Sequence, residues 1–254
     1  YVRDHESITD CIEQLKDYAE DSIPVLDDDN KLLGVITAQD IVEVVDDEMG
    51  DDYAKLAGMT EEADLEESLP ESIKKRLPWL VVLLGLSLCV STVTGLFENV
   101  ISHLAIIVSF QSLILGMSGN VGTQSLAVTI RVLMDEDLSG RQKWELIFKE
   151  ARIGFCNGLM LGLLAFAFIG TYVYVLKGRP LQYAFSVSAC AGVALMLAMT
   201  ISSVVGTVVP MFFHKVKVDP AVASGPLIST VNDFVAVVTY YGLAWVLLIH
   251  VLHL

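Results

Sequence analysis

Trp79 to Phe97 reads WLVVLLGLSLCVSTVTGLF, nineteen consecutive residues without a charge. An α-helix needs about 20 such residues to cross the hydrocarbon of a bilayer. The same character recurs downstream in Asn99–Ile130, Ile153–Leu176, Leu181–Phe213 and, interrupted once by Asp233, Pro220–Leu254. Five runs of that length predict five transmembrane helices, at about 79–97, 104–131, 153–176, 181–213 and 219–250.

The rest of the composition agrees. Of the 254 residues 54% are hydrophobic and 19% charged, with a mean hydropathy of +0.58; a soluble domain carries roughly 25% charge. The charges are also segregated. Residues 1–78 hold 23 acidic and 7 basic side chains, and residues 79–254 hold 8 and 9. An acidic, water-soluble head therefore precedes a nearly neutral apolar body. This excludes a single soluble globule, and it excludes a nucleic-acid binder, which needs a basic face. Cys11, Cys89, Cys156 and Cys190 lie far apart, with no zinc or disulfide spacing, and read as small apolar side chains. Tyr1 is not a methionine and residues 1–25 are amphipathic and acidic, so the sequence is expected to be part of a longer chain.

The head begins as a small α/β piece. Ser7 precedes a helical pattern of Ile8, Ile12, Leu15 and Ala19. Ser22–Asp27 is predicted as a strand, Asp27-Asp28-Asp29-Asn30 as a turn, Lys31–Ile36 as a second strand, and Thr37 as the cap of a helix from Ala38 to about Val45. With Gly34-Val35-Ile36-Thr37-Ala38-Gln39-Asp40 closing the strand pair, residues 1–49 resemble one CBS module. Such modules pack in pairs, so a second is expected upstream. In CBS domains that bind adenine nucleotides, the Thr and Asp of this motif contact ribose and phosphate. The resemblance carries an ATP contact over to Thr37 and Asp40, the alternative being that Thr37 is only a cap.

Residues 50–77 read as an acidic connecting helix. Within 46–72 stand eleven carboxylates, which repel one another unless cations neutralise them; divalent ions with oxygen ligands are suited to that. Orientation follows the basic residues near span ends. Lys74, Lys75, Arg76, Arg131, Arg141, Lys143, Lys149, Arg152, Lys215 and Lys217 fall on one side, against Lys177 and Arg179 on the other. Ten against two puts the head in the cytoplasm and the C-terminus outside.

Polar residues inside the spans carry the chemistry. Asp233 lies deep in span five, after Pro226, Ser229, Thr230 and Asn232, and no basic residue lies inside any span. A lone carboxylate at that depth marks a water-filled path by default. Span two contains Gly116-Met117-Ser118-Gly119-Asn120-Val121-Gly122-Thr123-Gln124-Ser125. Its glycines suit close helix packing, while Asn120, Thr123 and Gln124 ask for a polar lumen. Asp219, before Pro220, reads either as a helix cap or as a metal ligand at the cytoplasmic mouth. No HExxH, Walker loop, Ser-His-Asp set or second intramembrane acid supports catalysis, so the chain is not expected to be an enzyme.

Together, the CBS piece, Arg76-Leu77-Pro78-Trp79-Leu80, the span-two motif and Asp219-Pro220-Ala221…Gly225-Pro226-Leu227…Thr230-Val231-Asn232-Asp233 resemble the MgtE family of magnesium channels. The resemblance implies an all-α polytopic membrane domain (78–254) behind a small α/β CBS-type piece and a plug helix. It also implies a homodimer among membrane lipid, in the plasma (inner) membrane, importing Mg²⁺ under the control of cytosolic Mg²⁺. It assigns pore binding of hydrated Mg²⁺ to Asp233, a second site to Asp219, contributions to the pore from Asn120 and Thr123, and sensing to Glu61, Asp64 and Glu67. Thr123 departs from the Asn of some members, and Ala236 from the Gly of many. The competing readings are a channel or exchanger for Co²⁺ or Mn²⁺, and a non-conducting nucleotide or metal sensor.

Overall fold

The computed structural model describes residues 1–6, 22–61, 66–135 and 138–252. They form two compact units, 1–53 and 54–254.

In the first unit, strands β1 (Val2–Arg3), β2 (Ser22–Leu26) and β3 (Leu32–Thr37) form a sheet in that order, β1 parallel and β2 antiparallel to its neighbour. The predicted strand–turn–strand is present. Asn30 takes the left-handed conformation (φ 60°), and Asp27 closes the turn by accepting from the Lys31 amide at 2.8 Å. Val2 and Ile23 pack with Val25, Ile36 and Ile41 into a small core. The helix expected from Ser7 lies outside the described residues. Helix α1 (Ala38–Leu56) outruns its expected end near Val45.

The stretch 50–77 is not one helix. Its first residues finish α1 and its last belong to α2 (Leu69–Gly95), for a local reason. Gly58 sits at φ +82°; its amide donates to the Lys55 carbonyl and that of Met59 to Ala54, both at 2.9 Å. That is a Schellman stop, and a Cβ at Gly58 would also meet the Trp79 ring at 2.5 Å. Helix α2 starts afresh where the Glu71 carboxylate accepts from the Ser68 amide, with Pro70 in the first turn.

Among the described residues of the second unit, five helices are long and apolar enough to span a membrane. They are α2, α4 (Val108–Asp135), α5 (Gly140–Val175), α6 (Leu181–Lys215) and α7 (Gly225–Leu243), which widens into π-helical turns over Ala244–Val251. A short helix, α3 (Glu98–His103), joins α2 to α4. With 36 and 35 residues, α5 and α6 are each roughly 50 Å long. A bilayer core of about 30 Å covers only part of that. The start of α5 therefore runs well ahead of the charge-free window 153–176, and the end of α6 runs two residues past 181–213.

Helix α6 is the hub. Gly154, Gly158 and Gly162 stand one turn apart on α5 and face α6; a Cβ at Gly162 would lie 2.6 Å from the Gly192 carbonyl oxygen. On its other side, Gly206 presses on the Gly122 carbonyl of α4. Such backbone contact is how helices gain packing energy where no hydrophobic effect separates them from lipid. Tyr240 and Tyr241 are fully buried and donate to the Ile107 carbonyl (2.8 Å) and to Gln111 Oε1 (2.7 Å), fixing α7 to the start of α4. No residue of α2 is buried, and Cys89 and Cys156 lie exposed on helix surfaces.

A side chain at the α5–α6 crossing must force the helices apart. Gly162→Val is expected to cost about 1–3 kcal/mol, the usual penalty for overpacking, seen as a lower thermal unfolding midpoint in detergent. Gly85→Ala, whose Cβ meets nothing within 4 Å, is the control and should not lower it. Equal midpoints for both variants would contradict the backbone-contact account.

Candidate functional site

The site is built around α7. Ahead of it, Asp219 caps the turn Pro220–Val222, its Oδ1 accepting from the Ala221 amide at 2.8 Å. Its Oδ2 accepts from Lys55 Nζ at the same distance. Both oxygens are thus engaged, and the capping reading of the sequence is realised together with an ion pair. Ser224 then caps α7, accepting from the Leu227 amide at 3.3 Å and from Trp79 Nε1 at 2.9 Å. Trp79 in turn rests against Gly58, near Pro226. The segment following α1 is thereby pinned to the first turn of α7.

Two turns on, Asp233 is half-buried and opens onto a cleft of about 370 Å³. Its lining comes from three helices: Ser87, Val90, Ser91 and Thr94 of α2, Gln111 and Leu115 of α4, and Thr230 with Asp233 of α7. Among the described residues no basic side chain pairs with Asp233. The donors are one carboxylate, one amide and several hydroxyls, with neither imidazole nor sulfur. Such a set attracts a hard cation through oxygen and has the room to keep its water.

The span-two motif divides by helical phase. Gly119 and Gly122 face α7, where Gly119 abuts Ser229 and Gly122 receives the buried Asn232 amide. Thr123 donates to the Gly119 carbonyl at 2.9 Å and lies 3.4 Å from Ser229 Oγ. Asn120, Gln124, Gly116 and Ala127 form an exposed face of α4. Asn120 and Thr123 do not line the Asp233 cleft.

The acidic stretch forms a separate polar cavity of about 500 Å³ between Thr60, Glu61, Glu67, Glu71, Lys74 and Lys75. Lys75 Nζ is 2.7 Å from Glu67 and 4.0 Å from Glu61. Its hydrogen bond holds the Glu67 carboxyl below the usual carboxylate range. Asp64 lies outside the described residues. Among those described, no three His, Cys, Asp or Glu side chains converge as a ready metal site. In the first unit, Thr37 Oγ1 and Asp40 Oδ2 are 2.7 Å apart, and the Thr37 amide donates to the same oxygen at 2.8 Å. Those bonds lower the Asp40 carboxyl and occupy both residues with each other as a helix cap.

Residues 111–243, which include the cleft's α4 and α7 walls, match the MgtE family, described as divalent cation transporters. The chain belongs to the MgtE family. Residues 1–47 match the CBS domain, so the α/β piece at the head is the one expected. Relatives bearing the name magnesium transporter MgtE come from three bacteria. The Enterococcus faecalis protein is 37% identical over 92% of this chain and 50% of its own length. That of Bacillus subtilis is 34% identical over 96% and 51%, and that of Thermus thermophilus 31% over 98% and 53%. The chain thus spans about half the length of the curated relatives it matches.

Within this MgtE chain, sequence reading missed three features. The hydroxyls of Ser87, Ser91 and Thr94 recur at helical spacing and were visible as a polar line in an apolar span. The Lys55–Asp219 pair joins residues 164 positions apart and left no local signal. Glu150, just ahead of the expected third span, is buried among serines of α4 and α6.

Proposed function

We propose that this chain is the pore-forming part of a Mg²⁺-selective channel that imports magnesium and closes as cytosolic Mg²⁺ rises. The observation that carries the reading is the unpaired Asp233 carboxylate in a roomy, oxygen-lined cleft between α2, α4 and α7. Mg²⁺ sheds water reluctantly and is held through hydrogen bonds from its hydration shell to carboxylates, hydroxyls and amides. The relatives' names, magnesium transporter, support the same ion. The family's description as divalent cation transporters favours, as the second reading, Co²⁺ or Mn²⁺; a cleft without imidazole or sulfur weighs against those softer ions. Asn120 and Thr123, which lie on α4 outside this cleft, contribute to the path beyond it. The excess of basic residues at alternate span ends supports a cytoplasmic N-terminus and an outside C-terminus in a plasma membrane.

One carboxylate leaves a dication half neutralised. Two chains about a two-fold axis supply two Asp233 side chains, and the exposed small-polar face of α4 (Gly116, Asn120, Gln124, Ala127) suits a partner across that axis. Closure uses the stretch from the last turn of α1 into α2, which Lys55–Asp219 and Trp79–Ser224 tie to the mouth. Repulsion among Glu61, Asp64, Glu67 and their copies in the second subunit opposes that docked state. Bound Mg²⁺ removes the repulsion, so the ion favours the closed population. ATP at Thr37 and Asp40 requires their mutual hydrogen bonds to give way.

Mg²⁺ uptake into proteoliposomes tests the pore. Asp233→Asn keeps the shape and removes the charge, and is expected to lower flux at least about tenfold, since a carboxylate in a low-dielectric cleft is worth several kcal/mol to a dication. Undiminished, still selective flux in Asp233→Ala would overturn the assignment.

Cysteines placed at position 120 should cross-link between subunits in the membrane; a chain that conducts as a monomer in a nanodisc would refute the dimer.

For gating, the combined change Glu61→Gln, Asp64→Asn and Glu67→Gln is expected to yield a channel whose opening ignores cytosolic Mg²⁺. Closure at an unchanged Mg²⁺ concentration with unchanged steepness would reduce the acidic stretch to a linker.

A further inference from the structure

The first turns of α5 lie ahead of its charge-free window, yet they keep an apolar face. Trp144 and Phe148 are 63% and 64% exposed, with their rings 6.2 Å apart. Steps of three and four residues continue the stripe along one side of the helix, through Phe148, Arg152, Phe155, Leu159, Leu163 and Phe166. Leu146, Glu150 and Gly154, on the other side, are buried. One outward face thus runs unbroken from the aromatic pair into the membrane-spanning part of α5.

Farther along that face lies a groove of about 270 Å³ between α5 and α6. The glycine contact creates it. A Cβ on Gly162 or on Gly192 would lie 2.6 Å from the other's carbonyl oxygen, so the backbones touch and the larger side chains stand to either side. Leu159, Leu163 and Phe166 wall the groove on α5, and Ala189, Val193 and Met196 wall it on α6. Every one of these side chains is apolar.

At the head of the face, Lys149 and Arg152 are exposed one turn apart, and among the described residues neither pairs with a carboxylate. The neighbouring acids of α5 are engaged elsewhere. Glu145 pairs with Arg141 at 2.9 Å, and Glu150 is turned inward, accepting from Ser125 at 2.9 Å. Arg152 and Lys149 stand one and four residues ahead of Ile153, where the charge-free run begins. That is about 1.5 and 6 Å along the helix, within a headgroup layer of about 5–8 Å. In the other direction, Leu159 to Phe166 lie about 10–21 Å from Arg152, and one leaflet of hydrocarbon is about 15 Å deep. The two cations and the groove are spaced as the phosphate and the tail of one lipid.

We propose that this face of α5 binds one anionic phospholipid, with its phosphate between Lys149 and Arg152 and an acyl chain in the α5–α6 groove. Arginine and lysine are matched to phosphate oxygens. A zwitterionic headgroup adds an ammonium that the two cations repel, and an anionic one does not. Trp144 and Phe148 cover the outer side of the headgroup. The site is independent of which ion the chain conducts.

The full chain, reconstituted in bilayers of phosphatidylcholine and phosphatidylglycerol with the same acyl chains, tests this by native mass spectrometry. One phosphatidylglycerol is expected to stay bound in preference to phosphatidylcholine, and adding it to phosphatidylcholine bilayers should raise the unfolding midpoint. Lys149→Gln combined with Arg152→Gln should lower the preference at least tenfold and abolish the rise in midpoint. Ala189→Phe, which fills the groove from an exposed position on α6, should reduce retention of both lipids. Lys177→Gln combined with Arg179→Gln, beyond the far end of α5, should change neither. In phosphatidylcholine alone all the variants should unfold with the unaltered chain, which separates loss of the lipid from loss of the fold. Equal retention of the two lipids by the unaltered chain, or a preference that survives K149Q/R152Q, overturns the proposal. So does a cross-link from position 148 to a second copy or another protein with no lipid retained.

Discussion

Backbone touches backbone where α6 crosses its neighbours, and the placement of every polar group follows from that. Inside a bilayer, apolar side chains gain little by leaving lipid for one another, so helices associate where small residues admit close contact. Gly162 against Gly192 sets α5 on α6, and Gly206 against Gly122 sets α4 on α6. Gly122 is used twice, because its bare Cα also receives the Asn232 amide of α7. That amide is fully buried, and neither of its polar atoms has a hydrogen-bond partner. A methyl group at Gly122 would collide with Asn232 and crowd Ile228, both of α7. Because Asn232 fills the seam, Asp233, one residue and 100° further round α7, is turned out of it and into the cleft with α2.

Much of this was legible along the chain, for a physical reason. Charge is forbidden in hydrocarbon, so Trp79–Phe97 and the four later runs announce the spans, and Asp233 stands out as the exception within them. The strand pair and turn around Asp27–Asn30 were likewise local. The start of α5 and the end of α6 were not legible, because there the helices leave the bilayer still helical, and nothing in a hydropathy window marks where water begins. The break in 50–77 was missed although Gly58 and Ser68-Leu69-Pro70-Glu71 spell a stop and a start.

Tertiary partners were the least accessible. Asp219 read equally as a cap or as a metal ligand, because both roles want a carboxylate before Pro220. Only the fold brings Lys55 to its second oxygen. Ser125 read as the tail of a pore motif, whereas its hydroxyl points away from the motif's exposed face to Glu150. Asn120 and Ser125 stand on one helix five residues apart, which is 140° in phase, so one small-polar sequence serves two different surfaces.

The acids of the second unit differ in how their charge is met, and the differences sort them by role. Glu67 is met by Lys75 and Asp219 by Lys55, each a cation supplied by the chain itself. A tethered cation of this kind competes with any ion for the same oxygens, and it leaves only when its segment leaves. The Glu150 carboxylate is met by the buried Ser125 hydroxyl, which donates to it at 2.9 Å. Among the described residues, Asp233 alone of these four has neither a tethered cation nor a hydroxyl on its carboxylate, and it faces a cleft with room for water. Its countercharge has to come from outside the chain. A carboxylate so placed is costly to keep dehydrated and empty, and under the function proposed here a mobile dication that carries its own water satisfies it. That asymmetry, more than the number of carboxylates, distinguishes an ion path from an acidic surface.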